Sequence, residues 1–277
     1  MKFNTKCVHG SGRPDSTGAI SPAIYMSSTF SHPKLGDTTG YQYTRESNPT
    51  RDRLEQLIAG LEDGKDALAF SSGMAAVDAV FHLFSPGDHI ILGDDLYGGS
   101  IRMFTNIYEQ NGIEFTYVGT SDLDAVKAAF RPNTKAVYIE TPTNPMMEIT
   151  DIRALCALAH EHNALVIIDN TFLSPYFQKP LNLGADIVVH SGTKFIGGHH
   201  DVISGFTIVK DDELAAKLRL TYKTVGACLS AMDSWLVIRG VKTLALRMEQ
   251  HQKNAIALAE WLKKQPKVTK ELFRSEE

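Results

Sequence analysis

The apolar residues of this chain fall into short continuous runs, and two of these runs end at polar residues of chemical interest. The run at 165–168 ends at Asp169, and the run at 186–189 ends at His190, directly before a Ser-Gly-Thr-Lys turn. Continuous apolar runs of about four residues are typical of parallel strands buried on both faces. Because ligands bind beyond the carboxyl ends of such strands in open α/β sheets, we expect a functional site at this edge.

Helical and strand patterns alternate along most of the chain. Helices are predicted from about Thr50 to Gly64 and at 73–84, 100–110, 123–130 and 152–162. Strands are predicted between them at 67–70, 89–92, 114–118 and 136–140. After a strand at 202–209 the pattern turns helical, with one helix through 235–264. This alternation predicts an α/β fold with a doubly wound, mostly parallel sheet flanked by helices.

Residues 1–50 show no clear periodicity and are rich in Ser, Thr, Gly and Pro. So long an irregular stretch is unusual inside a compact domain unless it binds something or embraces a partner. We therefore predict an N-terminal arm at 1–50, followed by a large domain at 51–247.

Composition narrows the class of protein. The chain has 277 residues, of which 43% are apolar and 22% charged, and a net charge of −4 gives no reason to expect nucleic acid or an anionic membrane as a partner. Three scattered cysteines suit a reduced compartment without a disulfide framework. The N-terminus lacks the apolar core of a signal peptide, and no apolar run approaches the ~20 residues of a membrane span. A cytoplasmic, soluble protein is expected.

The Ser191–Lys194 turn and Asp169 carry the first candidate chemistry. Pyridoxal phosphate (PLP) needs a lysine for a Schiff base and an acid that keeps its pyridine nitrogen protonated. Lys194 and Asp169 could supply both, and the hydroxyls of Ser191 and Thr193 could bind the phosphate. A lone lysine is more often a solvated surface charge, and an aspartate after a strand often caps a turn.

Two further turns follow predicted strands. Gly73 and Met74 begin a predicted helix, where backbone N–H groups bind phosphate well, although such starts also serve simple capping. Tyr97 lies in a turn and could stack face-on over a cofactor ring, or could merely pack.

Asn144 lies in a loop stiffened by two prolines and could point toward the cofactor's ring oxygen. Tyr43 and Arg45 lie in the N-terminal arm, where a phenol next to a guanidinium suits phosphate recognition but could also be surface decoration. Each of these signals is modest, and their order along the strand ends makes the set specific.

A metal site is not expected. His199, His200 and Asp201 are adjacent, but neighbouring ring side chains seldom both ligate one ion, and nothing close in sequence completes a ligand set.

At these residues the chain resembles the Cys/Met-metabolism family of PLP enzymes, the trans-sulfuration enzymes, and is most similar to cystathionine γ-synthase, cystathionine γ-lyase and O-acetylhomoserine sulfhydrylase. The resemblance covers nearly the whole chain. The matching strings are YQYTRESNPTRDRLE (41–55), FSSGMAA (70–76), DDLYGG (94–99), IETPTNP (139–145), VIIDNTF (166–172) and ADIVVHSGTKFIGGHHDV (185–202).

The resemblance implies a type I PLP-dependent transferase fold, with 51–247 as the PLP-binding domain, and assigns roles to matching residues. Lys194 would bind PLP and move the α-proton, Asp169 would pair with the pyridine nitrogen, and Tyr97 would stack on the ring and assist proton transfer. The remaining cofactor contacts would be Gly73, Met74, Asn144, Ser191 and Thr193, with Tyr43 and Arg45 reaching in from the neighbouring subunit of a dimer-built homotetramer.

The resemblance also implies limits. In the family a further C-terminal domain carries an arginine that binds the substrate's α-carboxylate, and this sequence ends before that domain. We therefore expect 248–277 to begin an incomplete, truncated C-terminal domain. Gly99 stands where methionine γ-lyases typically carry cysteine, so that subtype is not expected.

The expected activity is γ-replacement or elimination on a small amino-acid substrate, an O-acylhomoserine or cystathionine, of the cystathionine γ-synthase type. Cystathionine γ- or β-lyase activity stays open as an alternative, as does a PLP-binding remnant with little turnover.

Overall fold

A seven-stranded sheet forms the centre of the molecule, and the computed structural model describes residues 1–12 and 16–269. Its strands, in chain order, are β1 Asp66–Phe70, β2 His89–Gly93, β3 Glu114–Val118, β4 Thr134–Glu140, β5 Leu165–Asp169, β6 Ile187–Ser191 and β7 Gly205–Val209. They lie side by side in the order β1-β7-β6-β5-β4-β2-β3. From β6 to β3 all neighbours are parallel, whereas β7 is antiparallel to both β6 and β1. The predicted mostly parallel sheet is confirmed.

The helices are α1 Phe3–His9, α2 Pro49–Glu62, α3 Gly73–Phe81, α4 Gly98–Met103 (continued by a π-helical turn, Phe104–Tyr108), α5 Leu123–Ala129, α6 Ile152–Glu161, α7 Ser174–Phe177, α8 Asp212–Val225, α9 Ala231–Val241 and α10 Leu244–Leu262. A short 3-10 turn spans Pro180–Asn182.

Helices cover both faces of the sheet. Alternate strand residues such as Tyr138 and Ile167 pack under α3, α4 and α8 on one face. Their neighbours, such as Ile168 and Val188, pack on the opposite face against α5 and α6 or against α2, α9 and α10. Because both faces of β2, β5, β6 and β7 are buried, these strands are mostly apolar runs, whereas the edge strand β3 is partly exposed and alternates.

The start of α2 follows from local sequence. Asn48 adopts an extended backbone, and its side chain accepts hydrogen bonds from the N–H groups of Thr50 and Arg51, while Pro49 occupies the first helical position. The helix ends at Glu62, and Asp63 caps it with a φ of 56°, in the left-handed region. These signals place the helix close to the range predicted from apolar spacing.

Two sequence expectations were wrong in detail. The stretch 1–50 is not wholly irregular, because α1 lies inside it; this helix is short, buries only Cys7 fully, and has no side-chain cap, so it leaves little pattern in the sequence. The single helix expected at 235–264 is instead α9 followed by α10. The chain leaves helical geometry at Thr243, where φ is −106° and ψ is 6°.

The domain division stays a prediction. The described residues between α1 and α2 contain no helix or strand apart from an isolated bridge between Thr29 and Tyr43, and much of this segment is exposed. The boundary expected at 247/248 falls inside α10, and residues 270–277 of the expected C-terminal unit lie outside the described residues. Within the described part of the chain, no helix is long and apolar enough to cross a membrane.

Candidate active site

The carboxyl ends of β4, β5 and β6 meet at one edge of the sheet. Glu140, the last residue of β4, is paired with Asp169, the last residue of β5. Asp169 is in turn paired with Val189 of β6, and β6 ends at Ser191. The structure thus brings Asp169 and the Ser191–Lys194 turn together at the ends of neighbouring parallel strands. The sequence predicted this from the two apolar runs that end at these residues.

Asp169 has neutral hydrogen-bond partners. Its Oδ1 accepts the Thr171 backbone N–H at 3.0 Å, and the Tyr138 hydroxyl lies 3.5 Å from its Oδ2. Desolvation raises the pKa of Asp169, and hydrogen bonds from Thr171 partly offset this effect. No lysine or arginine among the described residues forms an ion pair with this carboxylate. His190 also lowers the pKa of Asp169, but its Nε2 pairs with Glu62 at 2.6 Å and not with Asp169. A desolvated carboxylate to which no cation is directly paired fits the protonated ring nitrogen of PLP.

Thr171 was not identified from the sequence. Its hydroxyl oxygen accepts the Ser191 backbone N–H at 2.8 Å, so this one residue joins the end of β5 to the end of β6. The string VIIDNTF contains it, but the link depends on strand pairing, which the sequence pattern does not specify.

The start of α3 offers an anion-binding surface. The Ser72 side chain caps the helix by accepting the Ala75 N–H at 3.0 Å. Among the described residues no acceptor bonds to the Gly73 or Met74 N–H groups, which lie at the positive end of the helix dipole. A Cβ on Gly73 would lie 3.1 Å from the Ser191 hydroxyl oxygen, so this hydroxyl is beside the two amides. Together they fit a phosphate group.

The turn after β6 presents Lys194 to solvent. Its amide bonds to the Ser191 carbonyl at 3.3 Å, and its carbonyl accepts the Gly198 N–H at 2.8 Å. Burial favours the neutral amine that a Schiff-base lysine needs. The Lys194 side chain is exposed in this chain, so the described residues alone do not supply that burial. The Thr193 hydroxyl donates to the Ser204 carbonyl at 3.2 Å and accepts the Ser204 N–H at 3.0 Å, which already uses its proton.

Arg247, also missed from the sequence, holds the loop that follows Lys194. From α10 its guanidinium donates to the carbonyls of Phe195 at 2.6 Å and Gly240 at 3.0 Å. Gly198 has a φ of 71°, and a Cβ there would lie 2.1 Å from Arg247 Nη1. The glycine therefore leaves room for the guanidinium.

Tyr97 lies at the start of α4 and is 53% exposed. Its backbone N–H donates to Glu140 Oε2 at 3.1 Å, which ties the Tyr97 loop to the end of β4. Its ring lies over Gly99, where a Cβ would be 2.3 Å from the ring carbon Cε1. The ring is thus half-exposed on a loop that is tied to the end of β4, and stacking on a cofactor stays a prediction.

Of the other predicted cofactor contacts, Asn144 lies near the site, whereas Tyr43 and Arg45 do not contact it. Asn144 is exposed in the loop after β4, next to the site. Tyr43 and Arg45 contact each other, with the guanidinium 5.2 Å from the ring centroid, and Arg45 also donates to the Lys223 carbonyl. No contact among the described residues joins either of them to Ser191 or Gly73, so this chain alone does not bring the arm to the site.

His199, in the loop after Lys194, contacts the backbone of its own turn. His199 Nδ1 lies 2.8 Å from the Gly197 carbonyl oxygen. Over residues 1–12 and 16–269, no group of three or more His, Cys, Asp or Glu side chains is arranged to hold a metal ion.

Comparisons with known proteins agree with this geometry. A family model described as "Cys/Met metabolism PLP-dependent enzyme" matches residues 4–275. The chain is 50% identical to a cystathionine γ-lyase of Bacillus subtilis (strain 168) over 269 residues, which are 97% of this chain and 71% of that protein. It is 46% identical to a cystathionine γ-synthase/O-acetylhomoserine (thiol)-lyase of the same organism over 270 residues, covering 97% of this chain and 72% of that protein.

A solved structure of similar fold is cystathionine γ-lyase from Lactobacillus plantarum, complexed with L-serine. It superimposes with a TM-score of 0.95 at 51% identity, covering 98% of this chain and 71% of that one.

Proposed function

This chain belongs to the Cys/Met metabolism PLP-dependent enzymes, and we propose that it catalyses γ-replacement or elimination on an O-acylhomoserine or on cystathionine. Membership of the family confirms the resemblance, the type I fold and the PLP cofactor predicted from the sequence. The observation that carries the proposal is the placement of Asp169 and the Lys194 turn at the ends of neighbouring parallel strands.

The proposed cofactor contacts follow the geometry of the sheet edge. When bound, PLP withdraws electrons and stabilises negative charge at the substrate's α-carbon. Asp169 would keep the pyridine nitrogen protonated, and the open amides of Gly73 and Met74, with the Ser191 hydroxyl, would hold the phosphate. The Thr193 hydroxyl already donates its proton to the Ser204 carbonyl, so it would donate to the phosphate only by sharing that proton.

The proposed proton transfers use side chains that are exposed in this chain. Lys194 Nζ would hold the cofactor covalently, and after the substrate amine takes its place it would carry the α-proton. Tyr97 would cover one face of the ring and assist this transfer. Asn144 would bind the ring oxygen.

The N-terminal arm is proposed to act on a second copy of this chain. Because Tyr43 and Arg45 contact each other and Lys223 but not the site of their own chain, we propose that they complete the phosphate cradle of a neighbour. We propose a dimer-built homotetramer with shared sites, in which the neighbour also covers the exposed Lys194.

We propose elimination and replacement as the two candidate reactions, because the chain is similar both to proteins named lyases and to one named a synthase. The test is an assay of PLP-loaded protein with cystathionine alone, and with O-acetylhomoserine plus cysteine or sulfide. Elimination consumes water and releases ammonia, a keto acid and a thiol; replacement releases acetate and forms a new thioether or thiol.

Lys194→Ala is the matched control, since it removes the amine of an exposed side chain and should therefore keep the fold. Product from the wild type and none from the variant is the expected result. A yellow wild-type protein that forms no product from either mixture would contradict the proposed activity and favour a PLP-binding protein without turnover.

A further inference from the structure

Glu140 is a buried carboxyl group at the site for which the proposed chemistry has no role. Its side chain is 7% exposed, and its Cα is paired with that of Asp169 on β5. Oε2 accepts the Tyr97 backbone N–H at 3.1 Å, and the Asn144 backbone amide also faces this carboxyl group. Glu140 therefore contacts the two loops that carry Tyr97 and Asn144.

The charged groups around Glu140 are acidic. Asp169 faces it from β5, and Asp95 faces it from the loop after β2. Tyr138, two residues earlier on β4, stays a neutral phenol, because burial and then the charge of Asp169 raise its pKa well above the ordinary value. No lysine or arginine of the described residues offsets these charges at Glu140.

Two adjacent carboxyl groups in such surroundings do not both ionise readily, because each charge disfavours the other. Burial, and secondly the charge of Asp169, raises the pKa of Glu140 to about 8. At neutral pH Glu140 is then mostly a neutral acid, and one of its oxygens can still accept the Tyr97 N–H.

We infer that Glu140 is a positioning residue of the cofactor site: it fixes the Tyr97 backbone above the sheet edge while Asp169 carries the charge that pairs with the pyridine nitrogen. This inference rests on the PLP site proposed above. If Glu140 were ionised, its carboxylate would compete with Asp169 for the protonated pyridine nitrogen. The two carboxylates would also repel each other across the β4–β5 pair.

The pH dependence has a defined sign. Since the folded protein holds the Glu140 proton more tightly than the unfolded chain, the stabilising contribution of this group is complete below the ordinary glutamate pKa. It is lost as pH rises through the folded pKa of about 8. Above that pH the Glu140 carboxylate is a second desolvated negative charge beside Asp169. Movement of the Tyr97 loop would let water reach this charge and reduce the repulsion.

The test compares wild type with E140Q and E140A, with E109Q as the control because Glu109 is an exposed glutamate. PLP affinity is measured by titration of cofactor-free protein, the ring's orientation by its visible circular dichroism, and Tm is measured at pH 7 and 9. E140Q keeps the acceptor and cannot ionise, so it should match wild type at pH 7. Between pH 7 and 9, wild type and E109Q should lose dichroism and Tm, and E140Q should keep both.

E140A removes the acceptor, and its PLP affinity at pH 7 should fall by about tenfold. Wild-type affinity in E140A, or the same alkaline loss in E140Q as in wild type, would overturn the inference while leaving the PLP site intact. A wild-type protein that binds no PLP would overturn the proposed function as well, so the two failures are distinguishable. If E140A does not fold, the pH comparison of E140Q with wild type decides.

Discussion

The Cα of Gly73 lies so close to Ser191 that a methyl group on Gly73 would be 2.9 Å from the Ser191 Cβ. This approach joins the start of α3 to the end of β6 and leaves two amides and a hydroxyl around one small space. A side chain at position 73 would fill the space in which the phosphate is proposed to bind.

Gly73→Ala should therefore weaken PLP binding by about tenfold or more, because the methyl group must push Ser191 away or occupy the phosphate position. The measurement is a PLP titration followed by absorbance. Gly60→Ala is the control, since a Cβ at Gly60 meets nothing within 4 Å. Equal affinity in Gly73→Ala and wild type would contradict the proposed phosphate cradle.

Gly99→Ala should displace the Tyr97 ring, because its Cβ would lie 2.3 Å from the ring. We expect a reduced visible circular dichroism of bound PLP and a weaker affinity, since the ring would no longer stack in its present position. Gly98→Ala, whose Cβ has open space, should leave both unchanged. A Gly99→Ala protein with wild-type dichroism would show that the Tyr97 ring does not contact the cofactor from this position.

Arg247→Met should lower the free energy of unfolding by about 2–3 kcal/mol, because three partly buried carbonyl groups lose a charged donor. The carbonyls concerned are those of Phe195, Ile196 and Gly240. Urea unfolding measures the loss. Arg239→Met, at an exposed position of α9, should change stability by less than about 0.5 kcal/mol. Similar losses in both variants would argue against a specific role of Arg247 in holding the loop after Lys194.

Ionisation of Asp63 should make the stability of the fold depend on pH in the acidic range. Burial would raise the pKa of Asp63, but hydrogen bonds from Lys179 at 2.7 Å and Lys6 at 2.6 Å hold it well below the ordinary range. Because the folded state then binds this proton less readily than the unfolded chain, the stabilisation is present above the ordinary aspartate pKa and is lost as pH falls.

Asp63→Asn keeps a residue type that tolerates the left-handed backbone at this position and removes the charge. We expect it to lower Tm at pH 7, and to narrow the Tm difference from wild type as pH falls below about 4. A constant Tm difference across this range would contradict the ion-pair account.

The sequence predicted the edge of the sheet well, because continuous apolar runs with polar ends identify buried strands and their ends together. Asp169, Ser191 and Lys194 were found in this way. The antiparallel direction of β7 was not, since a buried run such as 205–209 looks the same in either direction.

The residues that support the site were harder to find. Glu140 and Thr171 act through the pairing of β4 with β5 and of β5 with β6, and Arg247 acts through a loop 52 residues earlier in the chain. Such contacts depend on register and packing, which no local pattern encodes. The shared sites, the tetramer and the cytoplasmic location stay predictions.

The central claim is that the Lys194 amine carries PLP, and reduction with borohydride tests it most directly. Reduction converts the covalent link between a lysine and PLP into a stable amine, and mass spectrometry of the digested protein then locates the added pyridoxyl group. We predict the label on the peptide that contains Lys194, and none on the Lys194→Ala protein treated in the same way. A label on a different lysine, or an unlabelled wild-type protein after incubation with PLP, would contradict the account.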